Sequence, residues 1–162
     1  MKRILLTGLI IAAACGTLFA QSSKSAVDFK KDELLCGKGE GSPMEAEYGV
    51  AKVLKTASAE TKNQYQALYI QDGSKDWVDF VIPSHKAKKE ELAVDAVVLF
   101  ASGWAEYSDM SIDDYRKAKW FAGLITAVDE LFKDLVEIDG QKFNWKFIRV
   151  PDDPASLEPK NE

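Results

Sequence analysis

The feature that most constrains this fold is the dipeptide Asp139-Gly140, which stands between two runs of strand-like sequence, 135–138 and 142–150. Asp-Gly between alternating runs is a strong signal for a tight β-hairpin, because the favoured two-residue turn needs positive φ at both central residues. The second run places three aromatic residues on one face: Phe143, Trp145 and Phe147. A row of aromatic side chains at period two is typical of the inner face of a sheet. The sequence therefore predicts antiparallel β structure here.

A second Asp-Gly dipeptide, Asp72-Gly73, predicts another hairpin between strands at 65–71 and 77–82. Pro83 is expected to end the later strand, because proline has no N–H to donate to a neighbour. Further strands are expected at 44–54 and 94–101, with a polar connection at 84–92. The predicted fold is mainly β, a small barrel or sandwich of about six to seven strands.

Residues 112–135 fit two periods. Read as a helix, the segment has one apolar stripe, which includes Ile112, Leu124 and Phe132. Read as strands, residues 120–128 alternate, and the weak helix formers in this stretch, among them Gly123, favour that interpretation. The alternative fold is α+β, with a long helix over 112–135 packed on an antiparallel sheet.

Three segments carry a family resemblance. Trp120-Phe121-Ala122-Gly123-Leu124-Ile125 and Val136-Glu137-Ile138-Asp139-Gly140 resemble the Trp-x-x-Gly-x-Ile and Val-x-Ile-Asp-Gly pattern of Tudor and SH3-like barrels, and Val97-Val98-Leu99-Phe100 is similar to the preceding barrel strand. The resemblance covers residues 94–150 and implies a small β-barrel. It also implies that the aromatic residues of the family's ligand cage map onto Trp104, Tyr107 and Trp120.

The N-terminus has the pattern of an export signal: a positive start, then an apolar stretch too short to span a bilayer. Cleavage is expected after Ala20, which predicts a bacterial protein of the periplasm or the extracellular space. The alternative is a lipoprotein signal, in which small residues before Cys15 form a lipobox and a lipid on Cys15 anchors the protein to the membrane. The expected organisation is a signal peptide (1–20), a flexible lead-in (21–43), one globular domain (44–150) and a disordered tail (151–162).

Composition narrows the range of partners. The chain carries a formal charge of −5, and nucleic-acid binding needs clustered Lys and Arg, so a nucleic acid is not expected as a partner. Removal of the signal leaves Cys36 as a lone cysteine, which is expected to be buried or, alternatively, to bridge a dimer. A structural metal site is not expected with one histidine and one cysteine, and no cofactor is expected.

Residues with catalytic potential are few. His85 lies in the polar connection, and a group of acidic residues surrounds Met110: Glu106, Asp109, Asp113 and Asp114. Such carboxylates suit calcium or a glycosidase pair, but the spacing is not that of an EF-hand loop. The glycines at 37, 39 and 41 do not form a dinucleotide-binding fingerprint, which needs a strand before it and a helix after it. No catalytic residue or metal ligand is assigned.

Aromatic residues flank this acidic group: Trp104, Tyr107, Tyr115 and Trp120. Aromatic rings beside carboxylates can hold sugars, peptides or cations, so these four residues form the predicted binding site. The expected function is an exported, non-enzymatic binding or interaction module of the cell envelope, with a protein, peptide or glycan as its partner. The alternatives are a small envelope hydrolase that uses a carboxylate pair, with or without His85, and an accessory subunit of an envelope assembly.

Overall fold

A computed structural model describes residues 28–39, 41–101 and 112–157 of this chain. These residues form a mainly β structure with a single short helix, α1 (Ile112–Lys117). The eleven strands of the described part are β1 (Leu34–Lys38), β2 (Glu47–Lys55), β3 (Tyr65–Tyr69), β4 (Lys75–Val78), β5 (Phe80–Ile82), β6 (Ser84–Lys86), β7 (Val97–Ala101), β8 (Trp120–Ala127), β9 (Leu135–Ile138), β10 (Gln141–Asn144) and β11 (Arg149–Pro151). Within these ranges, no helix has the length and hydrophobicity needed to cross a membrane.

All strand pairs of the described part are antiparallel, and the pairings together with one short chain connection form a circuit. β2 pairs with β1 along one edge and with both β3 and β8 along the other. β8 pairs with β7, β7 with β11, and β11 with β6. β5 pairs with β1, and only Pro83 separates β5 from β6. The junction of β5 and β6 therefore closes the circuit between β1 and β11.

Both predicted hairpins are confirmed. Asp139 and Gly140 have φ values of 49° and 80°, the positive pair that a tight turn between β9 and β10 requires. Gly73, with φ of 71°, lies in the connection between β3 and β4, where the Tyr69 carbonyl accepts a hydrogen bond from its N–H at 3.0 Å. The turn residues thus set the register of two of the strand pairs.

The alternative prediction of a long helix over 112–135 is wrong. After the six residues of α1 the chain enters β8, whose Cα partners lie on β7, β2 and β9. A side chain at Gly123 would come within 2.8 Å of Ile138 and Asp139, so this strand packs closely against β9. The preferred strand interpretation of residues 120–127 is confirmed, and the three segments that resemble Tudor and SH3-like barrels are the neighbouring strands β7, β8 and β9.

The sheet has more strands than the sequence indicates because several runs are interrupted. The run 77–82 is split at Asp79 and ends at Pro83, and Ser84–Lys86 then pairs with β11 instead of forming a plain connection. The aromatic row of residues 143–147 is also broken, since Trp145–Phe147 is a 3-10 turn. Phe143 is buried, whereas Trp145 and Phe147 are half-buried.

The folded domain extends beyond both predicted boundaries. β1 occupies the place of the predicted flexible lead-in, with Leu35 and Cys36 fully buried. β1 fits closely against β2 because Gly37 has no side chain: a Cβ there would lie 2.7 Å from the ring of Tyr48. At the other end, Pro154–Leu157 is a 3-10 turn, and Leu157 is buried in the same core cluster as Leu35. These apolar anchors order segments that look polar in composition.

Candidate functional site

The predicted aromatic site is divided between the core and the part of the chain outside the described residues. Tyr115 is 1% exposed and Trp120 is 0% exposed, and the indole N–H of Trp120 donates to the Tyr115 carbonyl oxygen at 3.0 Å. The Tyr115 ring stacks on Phe147 with centroids 5.1 Å apart. Both rings therefore pack in the interior and present no surface to a ligand. Trp104 and Tyr107 lie outside the described residues.

The acidic group and the two cysteines lie partly outside the described residues. Glu106, Asp109 and Cys15 lie outside the described residues, Asp114 is exposed, and no cluster of three or more metal-binding side chains occurs within the described ranges. Cys36 is the buried thiol that was one of the two expectations, and burial raises its pKa to about 12. A dimer bridged at Cys36 would need β1 to open, because the sulfur lies inside the sheet.

A cavity of about 340 Å³ lies where the strand circuit closes, and we call it the Arg149 cavity. Its walls come from residues 28–34 at the entrance to β1, from residues 83–86 at the junction of β5 and β6, and from Arg149 and Asp152 on and after β11. Two smaller cavities, of about 240 and 230 Å³, lie at Trp77 and at Tyr69. Of these three cavities, the Arg149 cavity alone reaches the usual volume range of small-molecule sites, which begins at about 300 Å³.

Arg149 forms the floor of this cavity. The residue is 6% exposed; its Nε donates to Ser84 Oγ at 2.9 Å, and its Nη2 donates to the Ser84 carbonyl oxygen. The guanidinium carbon lies 4.1 Å from the centre of the Phe29 ring, which is a cation–π distance. Burial lowers the pKa of Arg149 to about 10, although Coulomb attraction to Asp152 and Asp28 opposes that effect. A positive charge is therefore held largely out of water.

His85 lies on the cavity wall and is held between two carboxylates. Its Nδ1 lies 2.7 Å from Asp152 Oδ1, and its Nε2 lies 3.1 Å from Glu91 Oε1. The bond to Asp152 and the contacts with Glu91 raise the pKa of His85, although burial opposes them. Both ring nitrogens face acceptors, so this arrangement favours the doubly protonated imidazolium. A general base needs one nitrogen without a proton and open to the substrate, so catalysis through Nε2 would require Glu91 to move away.

Residues 28–34 are clamped to the body by contacts at both ends. At the start, Asp28 pairs with Lys86 at 2.5 Å, and the Phe29 ring meets Trp120 edge-on at 5.4 Å. Near the end, Glu33 has a fully buried side chain and binds Arg116 of α1 through two hydrogen bonds. Burial opposes ionisation of Glu33, yet the donors from Arg116 and the Lys30 N–H hold its pKa below the usual range. This segment thus forms a fixed wall of the Arg149 cavity.

Sequence reasoning found His85 but assigned it to an exposed loop, and it missed Arg149 and Phe29. The available signal for Arg149 was a single charged residue in an apolar run that ends at Pro151. A charge at such a position is buried in a sheet only when partners compensate for the lost hydration. Phe29 gave no signal, since it stands alone among charged residues.

Comparison with known proteins gives no match: no family model fits the chain, and no curated protein or solved structure is significantly similar to it.

Proposed function

We propose that this protein is an exported, non-enzymatic binding module that holds a small ligand in the Arg149 cavity. The observation that carries the proposal is a buried guanidinium on the floor of an open cavity. Keeping a cation out of water is unfavourable, so such a group is retained where it has a task that a neutral side chain cannot perform. Export rests on the signal-like pattern of residues 1–20.

The non-enzymatic part of the proposal is supported by His85 and Ser84. Both imidazole nitrogens of His85 face carboxylates, and the Ser84 hydroxyl accepts a hydrogen bond from Arg149. A nucleophilic serine needs a base within hydrogen-bonding distance that can take its proton, whereas here the Ser84 hydroxyl accepts from a cationic donor, Arg149. The site is arranged to hold charge in place.

The experiment is a thermal-unfolding screen of the purified protein against small compounds sorted by charge: neutral sugars, amines, peptides, carboxylates and phosphates. A ligand at 100 times its Kd stabilises the folded state by about 2.7 kcal/mol, which raises the midpoint by several degrees in a domain of this size. We expect at least one class to do so and to shift the NMR signals of His85, the single histidine of the chain. Stabilisation with no shift of His85, or no stabilisation by any class, would contradict the proposal.

The hydrolase alternative keeps one supporting observation, the close contact of His85 with Asp152 in a cavity wall. This alternative requires the Glu91 carboxylate to move away from His85 Nε2. Hydrolysis of activated esters or aryl glycosides that disappears in His85→Gln and increases in Glu91→Gln would favour it over the binding module. Equal background rates in all three proteins are the expected result.

A further inference from the structure

The charge of the Arg149 cavity supports an inference that rests on the proposed function and names its ligand class. Four cationic side chains line the cavity against three carboxylates, those of Asp28, Glu33 and Asp152. The cationic residues are Lys30, Lys31, Lys86 and Arg149. The chain as a whole has a formal charge of −5. The cavity therefore gathers positive charge against the trend of the molecule, and such local fields attract ligands of opposite sign.

The carboxylates of the wall are already neutralised by neighbours. Asp28 and Asp152 lie 2.5 Å and 2.7 Å from Lys86 and His85. Glu33 is held by Arg116, which is not part of the cavity wall, so its negative charge is balanced from behind.

Two lysines add positive charge at the entrance of the cavity, and Lys30 also attracts the carboxylates of Asp32 and Glu33. Lys30 and Lys31 are exposed, line the cavity, and form no ion pair among the described residues. Exposed lysines contribute little individually because water and salt screen them. They nevertheless set the sign of the field at the entrance, while Arg149 sets it on the floor.

Arg149 has also lost part of its hydration. Burial is the dominant influence on the Arg149 guanidinium and lowers its pKa. Asp152 and Asp28 already attract this charge. An oxyanion in the cavity would add to that attraction, since charge-assisted hydrogen bonds to oxyanions are about twice as strong as neutral ones.

The cavity at Tyr69 gives an internal contrast. It has a volume of about 230 Å³, and three carboxylates, from Glu47, Asp72 and Asp76, line it with a single lysine, Lys119. Lys119 pairs with Glu47 at 2.9 Å. An anion would be repelled there, so of these two cavities the Arg149 cavity is the one that suits an anion.

We propose that the Arg149 cavity binds a small oxyanion, a carboxylate or phosphate group on a compact body, beside Arg149 and Lys30. The body of the ligand occupies the remaining cavity volume.

The test is an NMR titration of the purified protein at constant ionic strength, which follows the His85 C2 proton. The probes are acetate and inorganic phosphate, then benzoate and phenyl phosphate as carriers with a larger body; chloride, glucose and benzylamine are the matched non-oxyanions. An oxyanion beside the imidazolium stabilises its charged form, so the pKa of His85 should increase as the probe saturates. We expect saturable shifts with the oxyanions alone, and tighter binding of the two aromatic probes.

Variants decide whether the cavity is the cause. Lys30→Glu should weaken binding at least roughly fivefold, and Arg149→Gln more than roughly tenfold, because a hydrogen-bonded charge is lost. The control Lys75→Glu makes the same charge change on β4, outside the cavity wall, and should alter the affinity less than about twofold. If Arg149→Gln does not fold, Lys30→Glu against Lys75→Glu remains decisive.

The outcomes separate the two proposals. Equal weakening by Lys30→Glu and Lys75→Glu, or no saturable shift with any oxyanion, overturns the oxyanion assignment. If glucose, benzylamine or another non-oxyanion shifts His85 instead, the cavity binds ligands but the ligand class is wrong. If nothing in the screen or the titration shifts His85, the binding function falls as well.

Discussion

Arg116 and Arg149 contact opposite ends of the segment 28–34, and the structure holds their two charges in different ways. Arg116 shares two hydrogen bonds with the carboxylate of Glu33, whose side chain has no exposed surface. Arg149 shares two with Ser84, a neutral residue, and its guanidinium lies on the aromatic ring of Phe29. The first charge is neutralised where it stands. The second lines the Arg149 cavity, where Asp152 and Asp28 also attract it. In our proposal, one residue type thus serves structure at one end of the segment and ligand binding at the other.

The largest expected effect comes from breaking the structural pair. Glu33→Gln keeps the shape of the side chain but leaves Arg116, which is 14% exposed, without its buried counter-charge. Removal of one partner of a buried ion pair costs about 3–5 kcal/mol. The free energy of unfolding in urea should fall by that amount.

The matched control for Glu33→Gln is Glu60→Gln, which makes the same change at an exposed position and should stay within about 0.5 kcal/mol of the unmodified protein. If Glu33→Gln were as mild as Glu60→Gln, the pair would not be structural, and the contrast between the two arginines would be lost.

A smaller effect is expected from a substitution of Phe29, which lies at the Arg149 end of residues 28–34. Its ring supports Arg149 and covers the edge of Trp120. Phe29→Leu should lower the free energy of unfolding by about 1–2 kcal/mol, since the ring is half-buried and leucine fills part of its volume. It should also increase acrylamide quenching of Trp120, measured as the difference from the same variant in a Trp120→Phe background.

Phe132→Leu provides the control for Phe29, because Phe132 is 76% exposed and its loss should change neither measurement. Strong quenching of Trp120 before Phe29 is changed would contradict its place in the core. The aromatic residues would then regain their predicted position on an exposed rim.

The hairpins could be predicted from the sequence because their cause is local. The positive φ values at Asp139 and Gly140 and the alternation around them are properties of a few neighbouring residues. The strand at 120–127 was harder to predict, since its apolar residues also suit a helix, and pairing with distant strands decides between the two.

The cavity could not be predicted because its walls come from three distant parts of the chain. Residues 28–34 read as polar lead-in, and nothing near Arg149 indicates that Ser84 and Phe29 receive its guanidinium. For Trp120 the prediction placed a buried residue on the surface. An aromatic residue beside an acidic stretch indicated a binding site, but the rings of Phe29 and Tyr115 cover Trp120 in the folded protein. Sequence indicated the residue types of a site but not which of them meet.

The smallest expected effect concerns His85, which adds a pH-dependent positive charge to the wall of the Arg149 cavity. Its pKa is raised by Asp152 and Glu91 above the ordinary value of 6.5. The folded state therefore binds the proton more tightly than the unfolded chain. The resulting stabilisation is complete below pH 6.5 and is lost as the pH increases through the raised value.

His85→Gln should remove this dependence. Because the His85 side chain is 40% exposed, solvent limits the effect to under about 1 kcal/mol. The unmodified protein should exceed His85→Gln in unfolding free energy at pH 5.5 by more than at pH 8.5, and Asp152→Asn should reduce the same difference by lowering the pKa of His85. A difference that is equal at both pH values would mean that the imidazole carries no extra charge in the folded state. The positive field of the cavity would then come from Arg149 and the lysines alone.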